Sequence, residues 1–192
     1  MNSERARLAV ALAAWFAIGA ALELLESHAA SEATNADRSV FVLAGNYRTL
    51  AADWLWLETN LAWERHDPAE TRRLINLTVA ADPGSRYYWL NGARMLAYDL
   101  PLWADEADPG APAAVVRRRR ERAVDEAIAL LGKETGERGP CAAIEIEIAN
   151  ICLYGLEDRQ LAASHYETAA KFPDAPAYAA RIAARLREEG SR

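Results

Sequence analysis

Sulfur and imidazole are scarce in this chain, which has two cysteines, two methionines and three histidines among 192 residues. Cys141 and Cys152 form no Cys-x-x-Cys motif, and His28, His66 and His165 are scattered over linker, turn and helix. No metal-ligand spacing and no base–nucleophile pair is therefore written into the sequence. Glycine-rich phosphate loops and nucleophile elbows are also missing. With three phenylalanines and almost no Val/Thr-rich runs, an all-β fold is disfavoured. Positive charge is not in excess: 22 Lys and Arg face 28 Asp and Glu, for a net charge of −6. That balance removes the general electrostatic case for nucleic acid. The expectation is a protein without catalytic, cofactor or metal site.

Hydrophobic residues, many of them alanine, make up 52% of the chain, and their spacing is helical. The N-terminus begins MNSERAR, followed by an uncharged run over residues 8–22 that reaches 25 if Glu23 snorkels. Arg5 and Arg7 precede the run, while Glu23, Glu26, Glu32 and Asp37 follow it with no Lys or Arg before Arg38. This bias predicts a single pass with the N-terminus in the cytoplasm and the remainder on the periplasmic or outer side of the cytoplasmic membrane. A retained signal-anchor is the preferred reading. A cleaved signal peptide is the second, because residues 27–34 (SHAASEAT) are small. A buried core helix is the third. The first two both export the chain into an oxidising compartment. If residues 141–154 form one helix, Cys141 and Cys152 lie about 16 Å apart along it and cannot pair.

The expected organisation is an N-terminal helix (1–26), a small polar linker (27–40) and a helical domain (41–190). Val42, Leu43, Tyr47, Leu50, Trp54, Leu57 and Leu61 predict a first helix from near residue 42 to residue 64. Asp67 as N-cap, Pro68 at the first helical position and Glu70 at the third open a second helix over 68–81. Asp82-Pro83-Gly84-Ser85 stops it, and a third follows over 86–100. Three prolines make 101–112 a long loop. A fourth helix spans 113–131 and a glycine-rich turn 132–140. Ile144-Glu145-Ile146-Glu147-Ile148 fits a short strand, but helices on both sides favour a fifth helix over 141–154. A sixth covers 159–171 and an arginine-rich last one 176–188.

The stretch from Leu50 to Tyr98 reads as helix, turn, helix, Asp-Pro turn and aromatic-rich helix. It resembles the tetratricopeptide repeat family, whose period is ~34 residues with a closing proline. With that proline on Pro83, one repeat covers 52–85, and Trp89, Ala93 and Leu96 take signature positions in the next. Thr59 and Thr71 stand where the family has small residues, and residues 101–112 interrupt the second hairpin. A third hairpin covers 141–173. The Ala-Ala-Asp-Trp-Leu-Trp-Leu run after an apolar segment also resembles membrane-anchored tetratricopeptide-like proteins of bacteria. The resemblance implies an all-α, short right-handed superhelix of about three hairpins, serving as an exported scaffold for other proteins.

Within that frame, Trp54 and Trp56 stand about 200° apart on a helix, so both cannot enter one core. With Tyr88, Asn91 and Arg94 they are the candidate partner contacts. Arg117, Arg118, Arg119 and Arg120 occupy every face of one turn, so at least one must lie against the stack and pair with an acid or stack on an aromatic. Their functional reading is contact with an acidic partner or anionic headgroups. Two further functions compete with the scaffold. One is a dedicated subunit of a membrane complex, packed through residues 8–25. The other, weaker, is an envelope hydrolase using carboxylates such as Asp53, Glu58, Glu64, Glu145 and Glu147.

Overall fold

The computed structural model describes residues 35–190, and all of their regular structure is helical. The helices are α1 (Asn35–Glu64), α2 (Pro68–Ala81), α3 (Arg86–Arg94), a π-helical segment (Met95–Asp99) and α4 (Leu100–Ala107). They continue as α5 (Ala113–Arg138), α6 (Ala142–Gly155), α7 (Arg159–Ala169) and α8 (Tyr178–Gly190). The Ile-Glu alternation is helix α6, as no strand occurs among the described residues. Contacts divide the chain into two compact units, Met1–Trp54 and Leu55–Arg192. The apolar run at 8–25 and His28 lie outside the described residues, among which no helix is long and apolar enough to cross a membrane.

Local chemistry sets several boundaries. Asp67 is extended (φ −96°, ψ 93°) and its carboxylate accepts from the Glu70 N–H at 3.1 Å, with Pro68 at the start of α2. Asp158 repeats this before α7, with φ −89°, ψ 92° and the Leu161 N–H at 2.9 Å. The residue before each cap is left-handed, His66 at φ 52° and Glu157 at φ 57°. Two turns far apart in sequence are thus built alike.

Three expectations need correction. α1 starts at Asn35 and takes in residues 35–40, assigned above to linker. Residues 100–107 are helical despite Pro101. A proline normally loses one backbone bond and strikes the carbonyl four residues back. Here the chain widens just before it, and the Leu100 N–H reaches the Met95 carbonyl, five residues back. The π turn opens the ladder where the ring must fit. α5 continues to Arg138, through Gly132 and Gly136. Those glycines are exposed, each costing about 1 kcal/mol of helix propensity. The buried Glu134 between them ties the segment down, and Gly139, at φ 83°, ends it in a conformation that L side chains rarely adopt.

In the second unit the core gathers Ile75, Leu96, Val124, Leu131, Ile144 and Ile151, all fully buried. α3 packs on α2 and α5, α5 on α6, α6 on α7 and α7 on α8. Gly92 marks a close approach: a Cβ there would stand 2.7 Å from Ile75 Cγ2 and 3.5 Å from Leu130 Cδ2. Thr59, Thr71 and Thr78 are buried and donate their hydroxyls to the carbonyls four residues earlier at 2.7–2.8 Å. No polar atom is stranded by placing threonine where the repeat pattern has a smaller residue.

From residue 47 on, the apolar residues whose spacing predicts α1 are not the ones it buries. Ala52, Leu55, Thr59 and Ala62 are buried, whereas Tyr47, Leu50, Trp54, Leu57 and Leu61 are exposed.

Candidate partner-binding surface

Trp56 and Tyr88, two of the sequence-predicted contacts, meet inside an aromatic cluster. The Trp56 ring lies 5.7 Å from Tyr87, edge-on, and 5.6 Å from Tyr88. Tyr88 is buried, so its ring face is used within the fold, and Tyr87 is the tyrosine of the pair that reaches solvent. Trp54 points outward, 46% exposed. Asn91 follows Tyr87 by one turn and donates its amide to the Tyr87 carbonyl at 2.8 Å. Tyr87, Asn91 and Arg94 share one face of α3 by their spacing.

Arg94 joins α3 to α6. Its Nε and Nη2 donate to the two Glu147 oxygens at 2.8 and 2.5 Å, a bidentate pair in which the carboxylate is almost fully buried and the guanidinium half-exposed. Beside it, burial and then the Glu147 charge hold the Tyr98 phenol well above its usual range. Burial pushes the Cys152 thiol up to about 11. On the next helix pair His165 Nδ1 lies 2.8 Å from Glu145, and the Tyr166 hydroxyl donates to Asn150 at 2.6 Å. Arg94 is thus neutralised within the fold, while Tyr87, Tyr154 and Tyr178 are exposed on α3, α6 and α8.

The arginine run divides by helical position. Arg119 lies against α4, donating to the Ala104 carbonyl at 3.1 Å and pairing with Asp105 at 3.4 Å and Asp108 at 2.7 Å. Arg120 approaches Asp105 at 3.7 Å. Both therefore hold the inserted helix to α5. Arg117 pairs with Glu121 in solvent at 3.6 Å, and Arg118 is exposed.

Sequence reasoning missed two polar networks. Trp63 Nε1 donates to Asp99 at 2.8 Å, and Trp103 packs on Trp63 and stacks on His66 at 4.8 Å. The cluster fixes α4 against the α1–α2 turn. In the other, Glu134 accepts from Arg86 at 2.8 Å and neighbours Arg138 at 3.6 Å, while Arg138 donates to the Gly84 carbonyl. Glu134 is fully buried and its Oε2 has no hydrogen-bond partner. An acid two residues from a glycine on either side, Gly132 and Gly136, is the one local hint, and it does not reveal Arg86.

Among the described residues no three His, Cys, Asp or Glu side chains are grouped to hold a metal ion. Comparisons with protein-family profiles, curated proteins and solved structures find no match to this chain.

Proposed function

We propose that this chain is a non-enzymatic, exported, membrane-anchored scaffold of tetratricopeptide-like hairpins that holds partner proteins at the outer face of the cytoplasmic membrane. The observation that carries the reading is the reuse of one turn. His66-Asp67 and Glu157-Asp158 pair a left-handed residue with an extended aspartate cap of nearly equal φ and ψ. Repeated hairpins that pack on their neighbours build extended surfaces, and such surfaces serve binding. The α6–α7–α8 sequence packs in that neighbour-on-neighbour manner. Tyr87 on α3 and Tyr154 on α6 supply exposed aromatic groups of the kind that anchor protein interfaces, and the half-buried Asn91 stands one turn from Tyr87.

The test is co-purification from native membranes with the wild-type chain and with the Tyr87→Ala/Asn91→Ala variant. A defined protein retained by the first and lost with the second is the expected result. A monomer that retains nothing dependent on those residues would overturn the reading.

A further inference from the structure

α5 leaves one side uncovered, and the centre of that side is charged. Ala114, Arg118, Glu121, Arg122, Asp125 and Ala129 are all exposed and fall within about 100° of the helix circumference. Together they run for about 22 Å along it. No hydrogen bond or ion pair with another described residue engages Arg118, Arg122 or Asp125, and Glu121 meets Arg117 at 3.6 Å in solvent. The order of these charges suits a lone helix badly. Arg118 and Arg122 are like charges four residues apart, as are Glu121 and Asp125, and such pairs destabilise an isolated helix. Their neighbours Arg119 and Arg120 are by contrast matched to Asp105 and Asp108, so the fold pairs the arginines of this run wherever it brings an acid to them.

The same order is complementary to its own reverse. A two-fold axis midway between Glu121 and Arg122 sets residue 118 opposite 125, 121 opposite 122 and 114 opposite 129 of a second copy. Every arginine of the row then faces an acid, in both directions, and the alanines at its two ends face each other and let the helices approach closely. A parallel pair would instead set Arg118 on Arg118 and Asp125 on Asp125. We infer that the exposed side of α5 pairs antiparallel with the same side of a second copy of this chain, through Arg118–Asp125 and Glu121–Arg122 contacts made twice. An anionic lipid surface would meet the two interleaved acids along with the arginines. An acidic segment of another protein would likewise leave Glu121 and Asp125 opposed to its own charge. Exposed ion pairs contribute little each, and about 22 Å of one helix is short for a standard interface, so the dimer is weak and the charges set its register more than its strength. The inference does not depend on the partner-holding reading and uses none of its residues.

Sedimentation velocity of the full chain in a non-ionic detergent, over a dilution series at low salt, reads the pairing. The wild type should dimerise at the high end of the series. Arg118→Glu and, separately, Asp125→Arg each set like charges opposite one another at both 118–125 contacts and should weaken dimerisation about tenfold or more. Circular dichroism should not change, because both side chains are exposed. The Arg118→Glu/Asp125→Arg double variant restores opposite charges at both contacts and should recover most of the wild-type affinity. An equal mixture of the two single variants should form heterodimers, since each carries the charge the other needs. Arg181→Glu, at an exposed arginine of α8, should leave dimerisation unchanged. A wild type that stays monomeric at every soluble concentration, or dimers that ignore both single variants, overturns the inference. So does a double variant no better than the singles. Binding to phosphatidylglycerol vesicles that Arg118→Glu abolishes, without self-association, would give the surface to lipid and overturn it as well. Absence of the dimer while Tyr87 and Asn91 still govern co-purification would refute this pairing alone and leave the scaffold reading standing.

Discussion

Gly92→Ala is the sharpest test of how α3 is seated. On propensity alone the change should stabilise a helix by about 1 kcal/mol. The new methyl, however, would lie 2.7 Å from Ile75 Cγ2, nearly 1 Å inside an ordinary carbon–carbon contact of about 3.5–4.0 Å. That atom cannot swing away cheaply, because it is attached at Cβ of a β-branched, fully buried side chain with a stiff first torsion. On the other side Leu130 Cδ2 stands at 3.5 Å and leaves no slack. Overpacking of a dense core costs about 1–3 kcal/mol, and values toward the upper end exceed the propensity gain. We expect net destabilisation of about 1–2 kcal/mol, read as a lower urea midpoint at unchanged slope. Ile75→Ala removes the opposing methyl and alone should cost about 2–5 kcal/mol. Combined with Gly92→Ala it should cost less than the sum, with coupling of about 0.5–3 kcal/mol. A Gly92→Ala protein as stable as the wild type, or more so, would refute the close approach of α2 and α3.

Three further outcomes follow from the polar contacts. Arg94→Ala should destabilise by about 1–3 kcal/mol because it strands the buried Glu147 carboxylate, and adding Glu147→Leu should restore much of the loss in urea titrations. The Arg73 hydrogen bond holds the Glu70 carboxyl below its usual range. The contribution of this mostly exposed pair, about 0.3–0.5 kcal/mol, is present above the unfolded value near 4.3 and fades as pH falls through the lower folded one. Arg73→Ala should therefore flatten the stability–pH curve below about pH 4.3. At pH 8, iodoacetamide should modify the half-buried Cys141 alone, since Cys152 is buried with its thiol pushed up to about 11; two adducts on the native protein by intact mass would contradict this.

Where the chain's signals are local, the sequence could be read closely. Asp67, Pro68 and Glu70 define the start of α2 within four residues, and Asp82-Pro83 defines its end, so its limits match expectation. The helical reading of α6 rested instead on the helices predicted on either side of it, because Ile144 to Ile148 alone also fit a strand. Prolines and glycines misled where packing outweighed them: Pro101 is accommodated by the π turn before it, and Gly132 and Gly136 lie on the outside of a helix held by Glu134. The side of α1 that meets the core was not legible, because periodicity identifies an apolar row without saying whether this chain covers it. The ion pairs Arg94–Glu147, Arg86–Glu134 and Arg72–Glu126 were equally hidden, their partners lying 53, 48 and 54 residues apart. Tyr87 and Tyr88 exchange roles for the same reason: the ring that packs on Trp56 from the inside is chosen by the register of α3 against α1.

The most direct measurement is site-specific photo-crosslinking in native membranes, with a photoreactive phenylalanine replacing Tyr87 and, as a control, Glu106 on the exposed side of α4. The scaffold account expects one discrete protein adduct from position 87 that is absent from position 106 and lost with Asn91→Ala. No adduct at position 87, or the same adducts from both positions, would contradict it.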